Sequence, residues 1–162
     1  MNSDEILELA EEQKKKRKEA KKWLRRVYHQ TLRVEAEERA LKKLEERVNN
    51  SVGKLENDGA SLDRSQSSRR REAALVDYSQ KSEELEAEAI KLDKLKSETM
   101  KVIKKLKDDK LEKIAEHRYV DCLAWRDVEK IDAYSHPHAM RLNKEILNKV
   151  AAILERRRKQ TT

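Results

Sequence analysis

Four side chains of metal-binding type, His117, Cys122, His136 and His138, fall in the last third of the chain. Imidazole and thiolate groups in that number would suit a zinc ion if they converged. Helical spacing keeps them apart. His117 and Cys122 stand about 140° apart around a helix, and a straight helix puts roughly 25 Å between His117 and the residues near 134. The sequence therefore predicts no metal site, with Cys122 a small core residue and His136 and His138 on either side of a turn. Other chemistry has no firmer basis. Phosphate-cradling loops need clustered glycines, whereas Gly53 and Gly59 stand alone. Carboxylates are abundant, but a thin helical assembly offers no dry pocket to shift their pKa values. Neither enzymatic activity nor a cofactor is expected.

The elements that carry these residues follow from what the chain lacks. It has two glycines, one proline and no phenylalanine in 162 residues, while 44% of the side chains are charged. A hydrophobic fraction of 36%, an aromatic fraction of 4% and a mean hydropathy of −1.06 leave too little material for a thick core. Disorder is one reading of such a composition. The apolar residues recur at helical spacing, however, so the expectation is an all-α fold: an elongated, coiled-coil-like antiparallel hairpin with a shorter third helix folding back.

Asn2 and Glu5 form a capping pair at the start of the first helix, expected over 1–56. Ile6, Ala20, Val27, Val34, Leu41, Val48 and Leu55 repeat every seven residues, interrupted by Gln13. The companion positions are mixed: Leu9, Trp23 and Leu44 suit a core, whereas Lys16, Gln30 and Glu37 do not. Both glycines and several serines fall within 49–68, and the turn or flexible loop is expected at 57–68. A second helix is expected over 69–134, about 100 Å if unbroken, with Tyr78, Leu85, Leu92 and Leu106 on its stripe. Pro137 ends it. A C-terminal helix at 138–158 then packs on 119–134, which completes a single elongated domain. The competing arrangement is a parallel homodimer through the first helix, and the short connection favours the hairpin within one chain.

Charge carries most of the functional signal. Net charge is +7 and the pI about 9.4, which points to an acidic partner. Lys14, Lys15, Lys16, Arg17, Lys18, Lys21, Lys22, Arg25 and Arg26 crowd into thirteen positions with one acid, Glu19. Five consecutive cations surround a helix, so some must face its neighbour. In the hairpin they lie beside residues 92–110, where Lys101, Lys104 and Lys105 add to them. Those twelve residues form the candidate acidic-partner site. Trp23 either stacks on a base or packs against the second helix, and packing is the simpler reading. Ser65, Ser67 and Ser68 before Arg69–Arg71 offer phosphorylation sites in an otherwise uncommitted loop.

Leu95, Val102, Tyr119, Trp125, Tyr134, Leu147 and Leu154 are the candidate protein-interface residues. Leu95 and Val102 are expected as exposed apolar edges, and the aromatics with the third helix as a docking knob or a local core. Two function classes follow. One is a non-enzymatic scaffold or adaptor that binds proteins within a larger assembly, homo-oligomers included. The other is a nucleic-acid or acidic-filament binder that contacts phosphates without sequence preference, since no base-reading motif is present. In outline, the hairpin and basic bias also resemble the two-helix stalk proteins of flagellar and type III export machines, which insert into a hexameric ATPase. That resemblance covers architecture and charge only, without a shared motif, and the helix after Pro137 departs from it. A single cysteine, which cannot form a disulfide within the chain, and the acidic residues after Met1 point to an intracellular, cytoplasmic location, with a nuclear one left open. No stretch is apolar enough to span a membrane.

Overall fold

The computed structural model describes residues 1–57 and 64–162, the side chains of 51–57 and 64 excepted. The fold is all-α, with no strand among the described residues. Six helices run in order: α1 (Ser3–Leu24), α2 (Arg26–Asn57), α3 (Arg64–Lys104), α4 (Asp109–Ala115), α5 (Trp125–Asp132) and α6 (His136–Thr161). A π-helical turn, Glu116–Val120, follows α4. They form two compact units, residues 1–29 with 93–162, and residues 30–92. No described helix is long and apolar enough to cross a membrane.

Residues 30–92 pair α2 with α3 in antiparallel register. Gln30 meets Glu88 and Glu37 meets Lys81, so seven residues up one helix correspond to seven down the other. Val34 is buried, while Leu41, Leu44, Tyr78 and Leu85 are half-buried. Gln30, judged unsuitable for a core, is only 6% exposed. Its amide is satisfied by Glu88, and a hydrogen-bonded polar group can be buried without the usual desolvation cost. The expected turn at 57–68 lies partly outside the described residues. Because α3 already begins at Arg64, Ser65, Ser67, Ser68 and Arg69–Arg71 stand in its first turns rather than in a loop.

Residues 1–29 and 93–162 form a small bundle. Leu24, Ile103, Leu111, Ile114, Val128 and Ile146 are its fully buried centre. The capping box of Asn2 and Glu5 is present. At Arg25 the first helix changes to α2: Arg26 Nε reaches back and donates to the Trp23 carbonyl at 3.0 Å. A side chain inserted into the helical ladder in this way bends it.

The single helix expected over 69–134 is broken twice, and a third reversal falls at its expected end before Pro137. Lys105 and Leu106 close i→i+3 bonds to Val102 and Ile103, and Lys107 takes a left-handed φ of 55°. Asp108 then caps α4, its carboxylate accepting from the Lys110 and Leu111 amides. The second break follows the π-helical turn, where Asp121 bonds back to Glu116 and Cys122 adopts a φ of 58°. The third is at Ala133, also left-handed, before Ser135 caps α6 and Pro137 occupies its first turn. These reversals fold 109–134 back on the bundle instead of letting it protrude. They also lay α6 against α1, in addition to α4 and α5.

Candidate anion-binding site

The basic residues of α1 and the start of α2 divide by helical position. Lys14, Lys15, Lys18, Lys21, Lys22, Arg25 and His29 fall within a sector of about 120° at 100° per residue, and all seven are exposed. None lies within ion-pair distance of a carboxylate among the described residues. Lys16, Arg17 and Arg26 point elsewhere and are half-buried. Lys16 pairs with Glu12 at 3.0 Å and Glu155 at 3.8 Å, which raises its pKa, first through the Glu12 hydrogen bond. Arg17 donates to Asn148 Oδ1 at 3.3 Å. Arg26 lies 3.5 Å from Glu98, which Arg157 also approaches at 3.7 Å. The neighbour that receives the inward cations is therefore α6 as well as α3, not residues 92–110 alone. Lys101, Lys104 and Lys105 are exposed but line no groove with this stripe.

Two concavities lie along the stripe. A shallow groove of about 610 Å³ is lined by Lys15, Lys18, Glu19, Lys21, Lys22, Arg25 and His29. It adjoins a narrower cleft of about 360 Å³, which shares Lys21 and Arg25 and adds Tyr28, Arg118, Tyr119, Cys122, Trp125 and Asn143. No carboxylate lines the cleft. The cleft is open to solvent rather than dry.

The cleft is built by the breaks in the chain. The π-helical turn and the left-handed Cys122 curl residues 118–125 into one wall. Arg118 Nη1 donates to the Leu123 carbonyl at 2.8 Å, and its guanidinium lies over the Trp125 ring, 5.2 Å from the centroid. On the facing wall Arg25 lies 5.6 Å from the Tyr28 centroid. The Tyr119 hydroxyl donates to Asn143 Oδ1. Burial pushes the Tyr119 phenol up to about 12, against the opposing pull of Arg118, the Asn143 bond and Arg25, so it stays neutral and fixes the Asn143 amide. Asn143 is left with its NH2 group to donate into the cleft.

The candidate interface residues are placed differently. Val102 is 1% exposed, and Tyr119 and Leu147 are also buried, so these three are core rather than docking surface. Leu106, Leu111 and α6 cover that side of α3 once the chain reverses at Lys107. Leu95, Trp125, Tyr134 and Leu154 are half-buried. Tyr134 carries Lys110 Nζ 4.9 Å from its centroid and His138 at its edge. Trp23 packs at the core margin with Arg26 4.3 Å from its centroid, which leaves that ring face covered.

Cys122 is half-buried in the wall of the cleft. His117 faces Asp121 at 3.4 Å, and His136 bonds Glu129. The described residues contain no cluster of three metal-binding side chains. Arg118 is the functional candidate that sequence reasoning missed, because only the tight turn after it brings it opposite Arg25. Comparison with protein-family models, with curated proteins and with solved structures finds no match for the chain.

Proposed function

We propose that this chain is a non-catalytic binding subunit, an adaptor within a larger assembly, whose exposed α1 face grips an acidic segment of a protein partner. The observation that carries this reading is the stripe of seven exposed basic side chains without carboxylate partners. Unneutralised like charges along one face repel each other, and an acidic partner relieves that repulsion while speeding encounter. The charge is also localised. Residues 30–92 hold 12 basic and 14 acidic side chains, which leaves 27 and 18 for the remainder of the chain.

Sequence-independent binding of nucleic acid is the second reading, and the length of the stripe favours it. Residues 14–29 cover roughly 22 Å of helix, enough to meet several phosphates. The test is binding of poly-glutamate and of single- and double-stranded nucleic acid by calorimetry over a salt series. Reversing Lys14, Lys15, Lys18 and Lys22 to glutamate should abolish poly-glutamate binding while circular dichroism stays helical. Retained binding in that variant removes the stripe as the interface, and binding of nucleic acid alone transfers the assignment to the second reading.

A further inference from the structure

We propose that the cleft between Arg25 and Arg118 is an anchor site for a phosphorylated side chain on the acidic partner segment, an inference that rests on the adaptor reading above.

Charge balance is the first argument. Lys21, Arg25 and Arg118 converge on a cleft lined by no carboxylate, and none of the three forms an ion pair among the described residues. Elsewhere in the same unit the inward cations do find acids, as Lys16, Arg26 and Arg157 show. Three uncompensated cations exceed what one glutamate neutralises. A phosphomonoester carries about −1.5 to −2 at neutral pH and presents three strong acceptor oxygens.

Pre-organisation is the second. Arginine forks match phosphate oxygens in pairs, but a free guanidinium loses rotamer freedom on binding. Here both are already held: Arg118 by the Leu123 carbonyl and the Trp125 ring, Arg25 by the Tyr28 ring. Less ordering cost then remains at the moment of binding. Asn143 adds a neutral donor, fixed by Tyr119.

The same stacking decides between peptide and nucleic acid. Base recognition by single-strand binders uses open aromatic faces. In this cleft guanidinium groups already lie over Trp125 and Tyr28, so the rings act as supports for the arginines rather than as stacking platforms. The volume, about 360 Å³, lies at the low end for small-ligand pockets and suits one side chain with its phosphate. The adjoining groove past Lys18 and Lys22 would take the acidic residues that follow the anchor.

The experiment uses the full chain and glutamate-rich dodecapeptides carrying one central phosphoserine or phosphotyrosine, each beside its unphosphorylated counterpart. Binding is read by calorimetry and by Trp125 fluorescence, with Trp23→Phe as background. At least one phosphopeptide should bind ten-fold or more tighter than its counterpart, and inorganic phosphate should compete. Arg118→Gln should erase that preference, bringing each phosphopeptide's affinity down to that of its unphosphorylated counterpart in the same variant, and Arg118→Lys should restore only part of it. Thermal unfolding of both variants separates lost recognition from a collapsed cleft, and a preference erased in Arg118→Gln and reduced in Arg118→Lys, with both variants folded, supports the fork.

Equal binding of phosphorylated and plain peptides overturns the anchor while the adaptor reading stands. Failure of every peptide overturns both. An oligonucleotide that binds in an Arg118-dependent manner, with the peptides excluded, reassigns the cleft to nucleic acid and overturns the peptide anchor.

Discussion

The Gln30 side-chain amide bonds Glu88 twice, donating to its backbone carbonyl at 3.0 Å and to its carboxylate. One buried polar residue on α2 thereby fixes the register of α3. A slip that brought Leu92 opposite Gln30 would take the carboxylate acceptor away from a buried amide, which costs more than the loss of a single exposed ion pair.

That arrangement predicts a pH dependence. The Gln30 bond, opposed by burial and helped by Lys91 and Arg33, holds the Glu88 carboxyl below its ordinary value. A depressed carboxylate contributes stability above its unfolded pKa, near 4.3, and loses it as pH falls through the lowered folded value. Gln30→Ala should cost about 1 kcal/mol at pH 7, the net worth of a typical hydrogen bond. The deficit should shrink below pH 4, once Glu88 is protonated in both proteins. Thermal unfolding of the two chains from pH 2.5 to 7 checks this, and a deficit constant across that range would dissociate Gln30 from Glu88.

The seven-residue stripe that organises the first helix is not uniform in energy. Residues 1–15 are exposed throughout, and Ile6 is 54% accessible although it occupies the same stripe as Val27, which is wholly buried. Leu24→Ala, at the bundle centre, should therefore cost about 2–5 kcal/mol. Ile6→Ala should stay within about 0.5 kcal/mol. Denaturant titration distinguishes them. Comparable losses at both positions would mean that the start of α1 is packed in solution against something that the chain alone does not provide.

The same contrast explains what was legible. Periodicity and the scarcity of glycine and proline revealed the helices, their antiparallel pairing in residues 30–92, and the basic segment of α1, because these depend on local spacing. The breaks after Lys104 and Val120 were not legible from glycine or proline, since Lys107 and Cys122 adopt left-handed conformations with ordinary side chains. Asp108 was the one available signal there, an N-cap residue followed by Asp109 at the start of a helix. Tertiary packing outweighed propensity at both breaks, whereas Pro137 marked the reversal that follows α5. The cleft depends on those breaks, so Arg118 could not be placed opposite Arg25 from the sequence, whereas Lys21 and Arg25 could be chosen by charge alone.

The reversals themselves can be tested by separating their two causes. Asp108 satisfies two amides at the start of α4, so Asp108→Ala should cost about 1 kcal/mol and Asp108→Asn, which keeps an acceptor, much less. Ala133 pays a steric penalty of about 1–2 kcal/mol for its φ of 55°. Glycine removes that penalty and adds about 0.5–1 kcal/mol of unfolded-state entropy. Ala133→Gly should thus stabilise the chain by roughly 0.5–1 kcal/mol, while the same change at Ala115, buried and right-handed where α4 runs into the π-helical turn, should destabilise it by about 1 kcal/mol or more. Thermal unfolding of the four variants gives the signs directly. A destabilised Ala133→Gly protein would mean that α5 runs on into α6 in solution and that the third reversal is absent.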